Sequence, residues 1–167
     1  SMLDGKVFVQ GQGKGVSIVK QEHHCSLGGS GWNTTVTPEL YLKDVTYDVG
    51  SGNGFHMLMD VQIKQGCPAA KLILDNAHLT ANGLDIGYSK QSGNTDTPQT
   101  TLAITNSTLD ITWMFRAPVA GGMAPMIRIG QGGLMRRATG TPTGGVYFDH
   151  NLDVRVEDGG CIEVRTP

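Results

Sequence analysis

The residues in this chain best suited to chemistry are acids, placed where they could work on a sugar. Asp110 and Asp153 each follow an apolar residue at the start of a short alternating run, which predicts them on neighbouring windings of a repetitive β structure. Two such carboxyls can cleave a glycosidic bond, one as acid and the other as base or nucleophile. The spacing would be about 5–5.5 Å for retention and about 6.5–9.5 Å for inversion. A second set, His56, Asp85, Arg128 and Glu163, falls at the same place in four further runs and is predicted as one outward column. There Arg128 could tune Asp85 or Glu163 and hold an anionic sugar, with His56 beside it. The same column also reads as a surface charge ladder worth about 0–1 kcal/mol per pair. Tyr41 and Tyr147 are predicted outward too, where an aromatic plane can stack on the apolar face of a sugar ring. The candidate catalytic residues are therefore Asp110, Asp153, Asp85 and Glu163. The candidate substrate contacts are Arg128, His56, Tyr41 and Tyr147.

These residues need a scaffold, and a repeated phrase supplies it. Glu39-Leu40-Tyr41-Leu42-Lys43-Asp44 recurs from Lys71, Thr101 and Gly145, each copy alternating and then breaking at a small, polar or turn-forming residue. Alternation at period two marks strands with one buried face, and recurrence at intervals of tens of residues marks a solenoid. The predicted core columns are Leu40/Leu72/Leu102/Val146 and Leu42/Leu74/Ile104/Phe148. Asp44, Asn76, Asn106 and His150 form a polar ladder in the first turn. A second run covers Val45 to Val49, Leu109 to Trp113 and Leu152 to Val156. A third begins at Gly54, Gly83, Met126 and Cys161. Three short strands per winding describe a parallel β-helix of about five coils.

Composition agrees with an all-β chain of one domain, 1–167, read as a piece of a longer protein. It has 167 residues with 24 glycines, and its net charge of −2 gives no electrostatic reason to propose nucleic acid. No apolar run approaches the roughly 20 residues needed for membrane insertion as a helix. Cys161 reads as a small core residue, and Cys25 could meet Cys67 across adjacent coils. His23-His24-Cys25 has no second Cys/His pair at a suitable distance, so no metal site is assigned. Trp113 and Phe115 read either as sugar contacts or as a cover for the core. The Met-, Gly- and Pro-rich segment from Ala117 to Gly145 reads as a subunit contact or a core lid.

The opening Val7-Phe8-Val9-Gln10-Gly11-Gln12-Gly13-Lys14-Gly15-Val16-Ser17-Ile18-Val19 resembles the first coil of pectate-lyase-like right-handed parallel β-helices. This group includes bacteriophage tailspikes and polysaccharide depolymerases. Its glycine run is followed by a strand rather than a helix, so no nucleotide cofactor is expected, and no other cofactor is assigned. The resemblance implies a right-handed β-helix that binds or degrades a bacterial surface glycan, assembled as a homotrimer outside the cell or on a virion tail. A structural or adhesive β-solenoid without chemistry is the alternative.

Overall fold

The computed structural model describes residues 2–3, 5–27, 37–50, 52–57, 70–86, 100–116, 125–137, 146–147 and 152–164. All the strand pairs are parallel, and they stack into a β-solenoid with three faces. The first face is a six-stranded sheet. Its strands are β2 (Lys6–Gln10), β5 (Glu39–Lys43), β8 (Lys71–Asp75), β10 (Thr101–Thr105), β12 (Met126–Ile129) and β15 (Asp153–Val156). The second face holds β3 (Ile18–Lys20), β6 (Thr46–Asp48), the first halves of β9 (His78–Ile86) and β11 (Thr108–Arg116), β13 (Leu134–Arg137) and β16 (Cys161–Val164). The third face holds β1 (Met2–Leu3), β4 (Cys25–Leu27), β7 (Gly54–Met57), the second halves of β9 and β11, and β14 (Val146–Tyr147). Between its two halves β11 shifts register against β9, at Ile111 to Met114. Three consecutive windings, starting at Glu39, Lys71 and Thr101, carry all three faces in long paired strands, and further strands flank them at either end.

The interior is made by in-register aliphatic columns. Val7, Leu40, Leu72, Leu102, Ile127 and Val154 form one, and Val9, Leu42, Leu74, Ile104, Ile129 and Val156 the next. The central members are fully buried, each contributing roughly 1.5–3 kcal/mol. The expected columns therefore hold through Leu102 and Ile104 and then change. Val146 lies on the third face opposite Phe115, and Phe148 and His150 lie outside the described residues. The place above Leu102 belongs to Ile127. Successive column members fall 32, 30, 25 and 27 residues apart from Leu40 to Val154, so the last windings are the tightest.

The turn from first to second face explains the polar ladder. Asp44, Asn76 and Asn106 adopt left-handed φ values of 52°, 49° and 47°. Asn and Asp tolerate this region because their short side chains bond locally. Here the Asn76 amide donates to Asp44 Oδ1 at 2.6 Å. In the last two windings the left-handed residue is Gly132 or Gly159, followed by a second glycine. A Cβ at Gly133 would come within 2.5 Å of the Ile104 carbonyl, and one at Gly160 equally close to that of Ile129. The turn thus changes its chemistry from Asx to glycine while the strands continue.

Candidate functional site

Outward side chains of the first face form a strip. One column reads Phe8, Tyr41, Ile73, Ala103, Arg128 and Arg155. Strands stand about 4.8 Å apart, a distance that suits ring stacking. Phe8 and Tyr41 use it, with centroids 4.8 Å apart and planes at 23°. Phe8 is 58% exposed, so the stack presents an open aromatic plane. Tyr41 donates its hydroxyl to Asp75 Oδ2 at 2.8 Å, and Lys43 Nζ lies 3.7 Å from the same oxygen. The hydrogen bond to Asp75, then burial and the charges of Asp75 and Asp44, push the phenol above its usual pKa and keep it a neutral donor. Three strand steps along, about 14 Å from Tyr41, stands Arg128. It donates to Glu157 Oε1 at 2.5 Å, while Arg155 donates to Asp153 Oδ2 at 2.7 Å. The strip is aromatic at one end and guanidinium-rich at the other.

The second face carries a tighter cluster. Asp110 is 8% exposed and stands between Thr80 and Arg136 in the strand register. Arg136 forks onto it, Nε to Oδ1 at 2.7 Å and a terminal nitrogen to Oδ2 at 2.9 Å. His78 Nε2 reaches Oδ2 at 2.7 Å, with the Thr80 hydroxyl 3.4 Å from that nitrogen. Burial alone would raise the pKa of Asp110. The hydrogen bonds and charges of His78 and Arg136 outweigh it and hold the carboxyl at about 2. The ionised carboxylate only accepts, so His78 Nε2 carries the shared proton. Both oxygens of Asp110 are occupied.

The predicted site residues divide among these surfaces. Asp110 and Asp153 are not brought together: Asp110 is on the second face, and Asp153 begins a first-face strand opposite Met126. Asp85, Arg128 and Glu163 do not share a column either. Asp85 is buried on the third face between His56 and Arg116 in register, Arg128 is on the first face, and Glu163 on the second faces Arg136. Only the His56–Asp85 adjacency within that set is realised, and Arg128 takes Glu157 instead of Glu163. Tyr41 lies in the outward strip, whereas Tyr147 is on the third face opposite Arg116. Cys161 is exposed rather than in the core, because Thr108, Leu134 and Cys161 form an outward column and the inward place belongs to Ile162. Trp113 is 37% exposed, whereas Phe115 is fully buried and belongs to the core. His24 Nδ1 accepts the Gly54 amide at 2.9 Å, which ties the histidine pair to the next winding. Cys25 is a free buried thiol; Cys67, Trp32 and Tyr88 lie outside the described residues.

Four contributors went unnamed as site residues in the sequence. Asp75 sits two positions after Ile73 in the repeated phrase, and Phe8 stands where Tyr41 does one winding later. The alternation of Lys6–Gln10 matches the phrase and would have placed Phe8 in that column. His78 and Arg136 carry no such signal, since their meeting with Asp110 depends on a register that alternation does not fix. The chain matches no known family model, no curated protein and no solved structure, so its assignment as a parallel β-solenoid stands on its own strand register.

Proposed function

We propose that this chain is a glycan-binding β-solenoid module whose first face lies along a bacterial surface polysaccharide, outside the cell or on a virion. The observation that carries the reading is the exposed Phe8–Tyr41 stack with its hydroxyl fixed on Asp75. A sugar ring offers an apolar C–H face to the aromatic plane and hydroxyls to an ordered carboxylate and ammonium, which Asp75 and Lys43 provide beside it. Arg128 and Arg155 extend the strip with planar donors suited to an acidic residue further along the polymer. The resemblance of the first coil to tailspike-type β-helices supports the same substrate class. The state of Asp110 argues against its serving as the general acid of a cleavage reaction. A carboxyl held at about 2 by His78 and Arg136 has no proton to give near neutrality, and no second carboxyl stands opposite it in the register.

The test is a glycan array of bacterial surface polysaccharides followed by titration of the best ligand, with a reducing-end assay alongside. Tyr41→Ala and Asp75→Ala should each weaken binding about tenfold, equivalent to about 1.4 kcal/mol, with the melting temperature little changed. A wild-type protein that binds nothing on the array, or variants that bind as tightly as wild type, would remove the proposal. New reducing ends would show cleavage and overturn the preference for binding alone.

A further inference from the structure

The third face carries a column that belongs to neither the first-face strip nor the Asp110 cluster. Ser26 of β4 pairs in register with His56 of β7, and His56 pairs with Asp85 in the second half of β9. Arg116 of β11 follows on the other side of Asp85. Ser26, His56 and Asp85 each alternate against fully buried core residues: Cys25 and Leu27, Phe55 and Met57, Leu84 and Ile86. Ser26 is half-buried. Asp85 is only 4% exposed, although it lies on the side of its strand away from that core. A buried carboxylate has to be paired, and the register sets Asp85 between a histidine and an arginine. Neighbouring strands stand about 4.8 Å apart, a step that serine, histidine and aspartate side chains can bridge by hydrogen bonds. The structural ladder of the first turn repeats one kind of residue, in Asp44, Asn76 and Asn106. Here three consecutive windings supply a hydroxyl, an imidazole and a buried carboxylate instead.

We propose that Ser26 and His56 are the nucleophile and base of a site that hydrolyses carboxylic esters, with Asp85 as the residue that positions the base. The roles follow from the order of the stack. A serine hydroxyl is a weak nucleophile until an adjacent base takes its proton, and imidazole is suited to that near neutrality. The imidazole must in turn be held in one tautomer by a buried carboxylate, which is the place of Asp85. Ser26 Oγ attacks the ester carbonyl carbon while its proton passes to His56. The C–O bond to the alcohol then breaks, and the alcohol leaves with that proton. Water next gives a proton to His56 and its oxygen to the acyl carbon. The bond to Ser26 Oγ breaks, the proton returns to Ser26, and the carboxylic acid departs. The sum is ester plus water to alcohol plus acid. An ester is favoured over an amide because an alkoxide leaves more readily than an amine anion. The activity is independent of glycan binding on the first face and makes no new reducing end.

The full chain is tested in two ways: release of nitrophenolate from para-nitrophenyl acetate, and labelling by a fluorophosphonate, whose fluoride an activated serine displaces. Wild type should release nitrophenolate faster than buffer and carry the label on the peptide that contains Ser26, read by mass spectrometry. Ser26→Ala and His56→Gln should each lower the rate by at least about a hundredfold and abolish the label. Ser26→Ala removes only a half-buried hydroxyl, so its circular dichroism should match wild type and the loss cannot be ascribed to unfolding. Asp85→Asn should lower kcat by a comparable factor with KM little changed, at a temperature where circular dichroism shows the β fold intact. Absence of the label from Ser26 in the wild-type chain overturns the proposal. So does nitrophenolate release that continues at the wild-type rate in Ser26→Ala or in His56→Gln.

Discussion

Asp110 gives the sharpest test of the second face, because one carboxylate links three windings. Replacing it with Asn keeps its shape and removes its charge. The carboxyl is held at about 2 against an ordinary 3.8, and its side chain is 11% exposed, so solvent screens the interaction little. That difference corresponds to roughly 2 kcal/mol of stabilisation. Because the folded value is depressed, this stabilisation is present in full above the ordinary value and is lost as pH falls from 3.8 towards 2. Urea melts of wild type and Asp110→Asn should therefore differ by about 2–3 kcal/mol at neutral pH, the excess over linkage coming from the donors left without their full acceptor. The gap should narrow as pH is lowered towards about 2, where wild type also holds a neutral side chain at this place. Other carboxyls titrate in the same range, but they are common to both proteins and cancel in the difference. A gap that stays constant with pH, or is absent at neutrality, would refute the assignment of Asp110 as an ionised keystone. Arg136→Met offers an independent check: with the fork removed, the acid limb of the stability curve should move to higher pH.

Two further perturbations address the scaffold. Ile104→Ala, inside the second core column, should cost about 2–5 kcal/mol in a denaturant melt, and a loss well under 1 kcal/mol would contradict its fully buried position. Asn76→Ala should cost about 1–2 kcal/mol, because an alanine at φ 49° meets the left-handed penalty and the bond to Asp44 is lost. Asn76→Gly should recover most of that loss, and equal stability of the two variants would show that backbone conformation is not what the ladder supplies.

How far the fold was legible follows from what alternation encodes. A period of two fixes which side of a strand faces the core, so Leu40, Leu42, Leu72, Leu74, Leu102 and Ile104 were readable as inward, and Tyr41 as outward. It does not fix which winding a strand belongs to. Met126–Ile129 and Asp153–Val156 have the same alternation as the first-face strands before them. In the sequence they fall into the third and second series, because Val146 offers a closer copy of the phrase, and the turn after each carries paired glycines where the earlier windings turn at Asp44, Asn76 and Asn106. That substitution of turn chemistry is physically equivalent, since glycine and asparagine both reach left-handed φ. To a reader following one turn residue, it hides the later windings.

The site suffered more than the fold, and for a specific reason. On the second face the expected alignment set Leu109 beside Val45, whereas the register aligns Leu109 with Tyr47 through Leu79. A slip of two residues leaves every inward side chain inward, so no burial rule reports the mistake. Yet it replaces the outward neighbours: Asp110 leaves Thr46 and aligns with Thr80 and Asp48, while the separate placement of Asp153 on the first face leaves Arg136 of β13 on its other side. Core columns survive such a slip because Leu, Ile and Val are interchangeable there to a first approximation. Charged columns do not, because Asp110 beside another acid would be a proton donor and Asp110 beside Arg136 is a fixed anion. In a parallel solenoid, chemistry is thus decided by the one coordinate, register along the stack, that binary patterning leaves undetermined.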